Sequence, residues 1–258
     1  MALFDMHYYS NALKMQVELY VILPEVPKSS KEVGAPEGKY KTLYLLHGLS
    51  GDHSVWLRRS SIERYADKHS IAVVMPNVAR SWYADTAYGA DYFTFVADEL
   101  PTVCRSYFKG MSDLPEDNYV GGLSMGGYGA LKLALTYPER YAGCISLSGA
   151  LDITRKGRAY ILEEWQGNFG FGIDSALDLE GGENDLFALL EKRVAEGARL
   201  PYMYIWCGTE DTLLPVNRDF SARLNSHGIE HVYEESPGDH VWECWDAKIK
   251  DSIKYFFG

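Results

Sequence analysis

Ser124 lies in Gly122-Leu123-Ser124-Met125-Gly126, between an apolar run and a stretch of strong helix formers. A serine hydroxyl becomes a nucleophile when a base takes its proton, and that base is usually an imidazole steadied by a carboxylate. The glycines two residues either side of Ser124 have a steric reading. A serine at the apex of a sharp strand-to-helix turn needs neighbours without Cβ atoms, so that strand and helix can approach each other. At such an elbow the hydroxyl stands at a helix N-terminus, where free N–H groups favour an anionic oxygen. The alternative reading is a glycine-rich turn without chemistry.

Nucleophile elbows of this kind are followed along the chain by the acid and then the histidine, on loops at the C-terminal ends of later strands. Three histidines lie downstream of Ser124: His227, His231 and His240. His227 precedes Gly228 at an expected helix end, where the dipole alone explains it. His231 opens an expected strand. His240 falls in Ser236-Pro237-Gly238-Asp239-His240, between the last strand and the last helix, and is the candidate base. Asp211, shortly after the strand ending at Cys207, is the candidate acid, with Glu210 its nearest rival. Asp219 should lie within the next helix, and Asp239 reads as a turn or capping residue. Two N–H donors are needed for an oxyanion. Met125 follows the nucleophile, and Leu49, in the loop His47-Gly48-Leu49-Ser50-Gly51, is the second candidate; His47 reads as structural.

The elements that must position these residues alternate. Short apolar runs are expected as strands at Val17–Leu23, Thr42–Leu46, Ile71–Pro76, Asp117–Leu123, Tyr141–Ser148, Tyr202–Cys207 and His231–Glu235. Helices are expected at Ser61–His69, Tyr92–Tyr107 (kinked at Pro101), Tyr128–Tyr137, Asp185–Glu196, Val216–His227 and Val241–Phe257. Such alternation means an α/β fold with a mostly parallel sheet covered on both faces. One domain over 1–258 is expected, with a small insertion at 149–200, rich in glycine and charge.

Composition narrows the function. A hydrophobic content of 47% supports a sizeable core, and a formal charge of −11 argues against nucleic acid and anionic membrane surfaces as partners. No apolar stretch approaches the ~20 residues of a membrane span, and the N-terminus has no signal-peptide pattern. Cys104, Cys144, Cys207 and Cys244 are widely spaced and form no metal-ligand cluster, so the expectation is reduced thiols, no metal or cofactor, and a cytoplasmic location. The expected partner is a small-molecule ester; a homo-oligomer is compatible with the sequence.

With these residues in view, the chain resembles the α/β-hydrolase serine esterases of the esterase D type, most closely the bacterial tributyrin esterases. The resemblance rests on the loop His47–Gly51 with Trp56 and on Trp82-Tyr83 through Asp91-Tyr92. It also rests on Gly122–Ala130, on Trp206-Cys207-Gly208 leading to Asp211, and on Gly238 through His240, Trp242 and Trp245. It implies an α/β-hydrolase fold and hydrolysis of short-chain acyl esters, tributyrin-like, acetyl or feruloyl. It also implies that Trp82 and Tyr83 lie beside the acyl pocket. The S-formylglutathione hydrolases of the same wider group carry a histidine where this chain has Leu123, and a Ser-Tyr-Tyr-Phe-like run where it has Val241–Cys244. Thioester hydrolysis and acyl transfer would use the same three residues. A non-catalytic binding protein on this scaffold is the remaining alternative, and such chains typically lose a member of the triad.

Overall fold

The computed structural model describes residues 1–26, 29–30, 32–86, 89–154 and 179–258. Its centre is an eight-stranded sheet: β1 (Ala2–Ser10), β2 (Met15–Leu23), β3 (Thr42–Leu46), β4 (Ala72–Pro76), β5 (Asn118–Leu123), β6 (Gly143–Leu147), β7 (Tyr202–Gly208) and β8 (His231–Ser236). The spatial order is β1-β2-β4-β3-β5-β6-β7-β8. β2 runs antiparallel to β1 and β4, and all other pairs are parallel. The five-residue apolar runs of β3, β4 and β6 are buried throughout, as strands covered on both faces must be. Two apolar layers sandwich the sheet, one around Val74, Phe95, Tyr128 and Phe220, the other around Leu43, Trp56, Trp206 and Ile249.

Most helices begin and end within three residues of the sequence expectation: α2 (Ile62–His69), α4 (Met125–Thr136), α5 (Leu186–Ala195), α6 (Leu214–Ser226) and α7 (Trp242–Phe257). α1 (Val55–Arg59) and β1 were not anticipated. The expected helix 92–107 is instead α-helical at Tyr92–Thr94, π-helical over Phe95–Glu99 and α-helical again over Leu100–Tyr107, the last part being α3. Pro101 has no N–H for the carbonyl of Ala97 four residues back, which disturbs the helical ladder there. That carbonyl accepts instead from Arg140 Nη1, at 3.1 Å. Of the expected insertion, residues 155–178 lie outside the described residues, and α5 packs against α4.

Among the described residues no helix is long and apolar enough to cross a membrane. The four cysteines are free thiols, three buried and Cys244 half-buried.

Candidate active site

Strand register brings the candidate loops together. Leu46 of β3 pairs with Gly122 of β5, so the chain leaving β3 at His47-Gly48 emerges beside Leu123-Ser124. Leu123 pairs with Leu147, and Leu147 with Trp206, which sets Ser148 between the elbow and the end of β7. Gly208 pairs with Ser236, placing 209–211 next to 237–240. All four loops leave the C-terminal edge of the parallel strands.

Ser124 has φ 54° and ψ −119°, a conformation that costs a non-glycine residue of order 1–3 kcal/mol. Its surroundings hold it there. The Ser124 N–H donates to the carbonyl of Leu147 at 2.9 Å, and the Ser124 carbonyl accepts from the N–H groups of Tyr128 and Ala150 at 3.0 and 3.1 Å. A Cβ on Gly126 would lie 2.4 Å from the carbonyl oxygen of Leu46, and one on Gly122 would lie 2.5 Å from the backbone of Gly126. The elbow is therefore closed to any larger residue at those two positions.

His240 Nδ1 lies 2.8 Å from Asp211 Oδ2, and its Nε2 lies 3.0 Å from Ser124 Oγ. A carboxylate only accepts, so Nδ1 carries the proton and Nε2 is left to accept from the serine hydroxyl. That is the tautomer a general base requires. The Asp211 side chain is fully shielded from solvent while His240 is one-third exposed. Burial pushes the Asp211 carboxyl up. Hydrogen bonds from His240, from the Leu213 N–H and from the Ser148 hydroxyl outweigh it and hold the group below the usual carboxylate range.

Ser148 was not singled out from sequence. It is buried, has φ 48°, and accepts from Trp245 Nε1 at 3.2 Å while its hydroxyl reaches Asp211. The ring of Trp245 stands edge-on to His240, with centroids 4.8 Å apart. Trp245 also meets Trp242 edge-to-face, and Trp242 meets Trp56, forming an aromatic row behind the base. A serine directly after a buried strand gives no signal of this by itself.

On the other side of Ser124, Met125 is the first residue of α4, whose opening N–H groups have no intrahelical acceptor. The Leu49 N–H donates no hydrogen bond among the described residues. A Cβ on Gly48 would meet Leu123 Cδ1 at 2.7 Å and Ser124 Cβ at 3.5 Å, so this loop passes directly beside the nucleophile. His47 fixes the loop. Its Nδ1–H donates to the Gly48 carbonyl at 2.7 Å and its Nε2 accepts from the Val78 N–H at 3.0 Å, with burial lowering its pKa. Tyr83 is wholly buried; its hydroxyl donates to the His47 carbonyl at 2.9 Å, and its ring fills the space beside Gly129. Trp82, nearly as buried, stands edge-to-face with Tyr128. Lys132, one turn beyond Tyr128, is buried as well. Its Nζ donates to the Tyr83 carbonyl at 2.9 Å and to Asn184 Oδ1 at 2.6 Å, and burial brings its pKa down to about 8.

The rival candidates are engaged elsewhere. His227 contacts Glu191 at 3.0 Å, and His231 bonds Ser221 Oγ at 2.8 Å and the Ile229 carbonyl at 2.9 Å. Glu210 accepts from the Gly238 N–H, so it holds the loop that carries His240 and not the imidazole. Asp239 accepts from the His240 N–H, while Val241 is the N-cap of α7. Among the described residues no group of three or more His, Cys, Asp or Glu could hold a metal ion.

The comparisons agree with one another. A family model described as "Putative esterase" matches residues 10–256. An acetyl esterase of Caldicellulosiruptor saccharolyticus is 33% identical over 264 residues, covering 99% of this chain and 98% of its own. FphF, a fluorophosphonate-binding serine hydrolase of Staphylococcus aureus solved with substrate bound, is 36% identical with a TM-score of 0.88, covering 100% of this chain and 98% of its own. An S-formylglutathione hydrolase (FrmB) from the same organism is also 36% identical, with a TM-score of 0.85 and coverages of 100% and 99%.

Proposed function

The chain belongs to this esterase family, has the α/β-hydrolase fold and is a carboxylic ester hydrolase, and from that premise we propose that it cleaves short-chain acyl esters through an acyl-enzyme on Ser124. Ser124 Oγ attacks the ester carbonyl carbon as His240 Nε2 takes its proton. The carbonyl oxygen, now an anion, is held by the N–H groups of Met125 and Leu49. Collapse expels the alcohol, which receives the proton from Nε2. Water, deprotonated by the same nitrogen, then releases the acid. Asp211 keeps Nδ1 protonated and steadies the imidazolium. The observation that carries this reading is the pair of contacts at 3.0 and 2.8 Å that link Ser124, His240 and Asp211 in that order.

The short acyl preference rests on Trp82 and Tyr83, whose near-complete burial suits an immobile back wall, and on the acetyl esterase named above. Within a fitting pocket each methylene adds about 1–3 kcal/mol; beyond the wall it adds nothing or clashes. For p-nitrophenyl esters kcat/KM should peak between acetyl and butyryl, and tributyrin should be a substrate. A maximum at octanoyl or longer would remove the wall assignment. Labelling with a fluorophosphonate, followed by mass spectrometry, should modify the peptide carrying Ser124 and fail on Ser124→Ala; an unlabelled wild type would end the nucleophile assignment.

A second reading, thioester hydrolysis, draws on the S-formylglutathione hydrolase among the similar structures, and Leu123 in place of a histidine weighs against it. Parallel kcat/KM measurements on acetyl esters and S-formylglutathione discriminate between the two.

A further inference from the structure

The two outer edges of the sheet are built differently. β8 carries Glu234 and Glu235, which pair with Lys248 and Arg218, so its rim is charged and engaged. At the other end, β1 pairs with β2 over nine consecutive positions, Ala2 with Leu23 through Ser10 with Met15, without a bulge. Among the described residues no strand pairs its outer side. The backbone groups pointing that way are a template for another strand, and edges are normally blunted by proline, charged side chains (lysine above all), a bulge or short length. Ala-Leu-Phe-Asp-Met-His-Tyr-Tyr-Ser has a single carboxylate, Asp5, and none of the others. Its even face is partly covered, with Met6 and Tyr8 packed against the core and Phe4 40% exposed. Its odd face is open: Leu3 and Tyr9 are 46% and 55% exposed, and Asp5 and His7 lie between them 3.3 Å apart.

We propose that this edge is occupied by β1 of a second copy of the chain, joined antiparallel about a two-fold axis at Met6. Met6 is the midpoint of the strand, so an axis there overlaps all nine residues. On the odd face Leu3 then opposes Tyr9 of the second copy and Asp5 opposes its His7, and symmetry supplies each pair twice. On the inner face Phe4 opposes Tyr8, and Met6 opposes its own copy. Between Leu3 and Tyr9 apolar meets apolar and a carboxylate meets an imidazole, the kinds of cross-strand pair that stabilise a sheet, and only the end pair sets Ala2 against Ser10. Neighbouring registers lose this. An axis at Asp5 sets two carboxylates against each other, and one at His7 leaves Leu3 without a strand partner. The dimer would be one continuous sheet with the axis normal to it, and its two sites would open at opposite ends.

Sedimentation at about 50 μM should return twice the 29.1 kDa chain mass. Amide exchange over residues 2–10 of the wild type should slow as concentration rises through the dimer transition. Asp5→Lys should weaken the dimer about tenfold, because the carboxylate-to-imidazole pair is then lost twice, and adding His7→Glu, which sets a carboxylate opposite the lysine, should restore it. Mild oxidation should link Met6→Cys, which sits on the axis, into a covalent dimer, whereas Leu3→Cys should stay unlinked. A monomer at that concentration, or a dimer whose exchange over 2–10 is insensitive to concentration, overturns the proposal.

Discussion

The two sides of Ser124 are held by different means. On the side of the proposed oxyanion donors, Met125 and Leu49, every support is buried: Gly126 against the Leu46 carbonyl, His47 bridging Gly48 and Val78, Tyr83 beneath His47, and Lys132 beneath Tyr83. On the base side Asp211 is buried, but His240 rides on a loop fastened by the exposed Glu210 and by packing against Gly208. The donors that meet developing charge gain most from being fixed beforehand. In the proposed mechanism His240 exchanges protons with serine, alcohol and water in turn, so partial exposure suits it. One flank is built for immobility and the other for traffic.

The largest expected effect ignores this distinction. Ser124→Ala and His240→Ala should each lower kcat by about 10⁴-fold or more with the fold intact, since such groups act as a unit. His227→Ala and His231→Ala should stay within a few-fold by comparison. A crippling His231→Ala would move the base to another loop and dissolve the comparison.

Two glycine substitutions separate the flanks. Gly126→Ala drives a methyl into a buried carbonyl and should cost more than about 3 kcal/mol, read as a fall in the urea midpoint or loss of folded protein. In Gly208→Ala the new methyl would lie 2.1 Å from the Gly238 carbonyl oxygen, so the backbone of a loop with Pro237 and Asp239 exposed has to move. That variant should lose less stability than Gly126→Ala, since the obstructing backbone belongs to a partly exposed loop, while kcat falls about 100-fold through misplacement of His240. Equal stability loss in both would mean the base loop is as rigid as the elbow.

Tyr83→Phe removes one buried hydroxyl and leaves the His47 carbonyl short of a donor. A loss of about 1–3 kcal/mol in stability is expected, with kcat lowered more than KM is raised. Asp211 supplies a pH test. Its folded-state pKa is depressed, so its contribution is present above the ordinary carboxylate value and is lost as pH falls through the folded value. Asp211→Asn should therefore flatten the acid limb of the stability curve, measured as melting midpoint against pH. Least is expected of Glu210→Gln, which keeps an acceptor oxygen for the Gly238 N–H: activity within about threefold of wild type.

The buried parallel strands were legible because a continuous run such as Thr42-Leu43-Tyr44-Leu45-Leu46 has few other uses in a soluble chain. β1 was not, since Leu3 and Tyr9 put apolar residues on the same face as Asp5 and His7 and blur the alternation, and its order comes from pairing with β2. α4 begins at Met125, three residues before the expected Tyr128, because Gly126 and Gly127 read as turn residues when packing is unseen. Chain order led to Ser124, Asp211 and His240, which the fold holds within hydrogen-bond reach. It could not reveal Ser148, Trp245 or Lys132, whose parts depend on contacts between segments distant in sequence. Glu210 and Asp211 differ by one position along the chain, and only the turn after β7 decides which carboxylate faces inward.

His240 lies on the loop that leaves β8, the edge strand of the sheet, whereas Ser124 leaves a central strand. Peripheral units open more readily than central ones as temperature rises. With His240 as the proposed base, turnover should then fail before the molecule melts: a warmed sample would keep its far-ultraviolet dichroism after its hydrolysis has stopped. Cooling would bring activity back at the pace of one segment re-docking, with no refolding of the whole. Heat, for this chain, acts first as a reversible brake and only later as a denaturant.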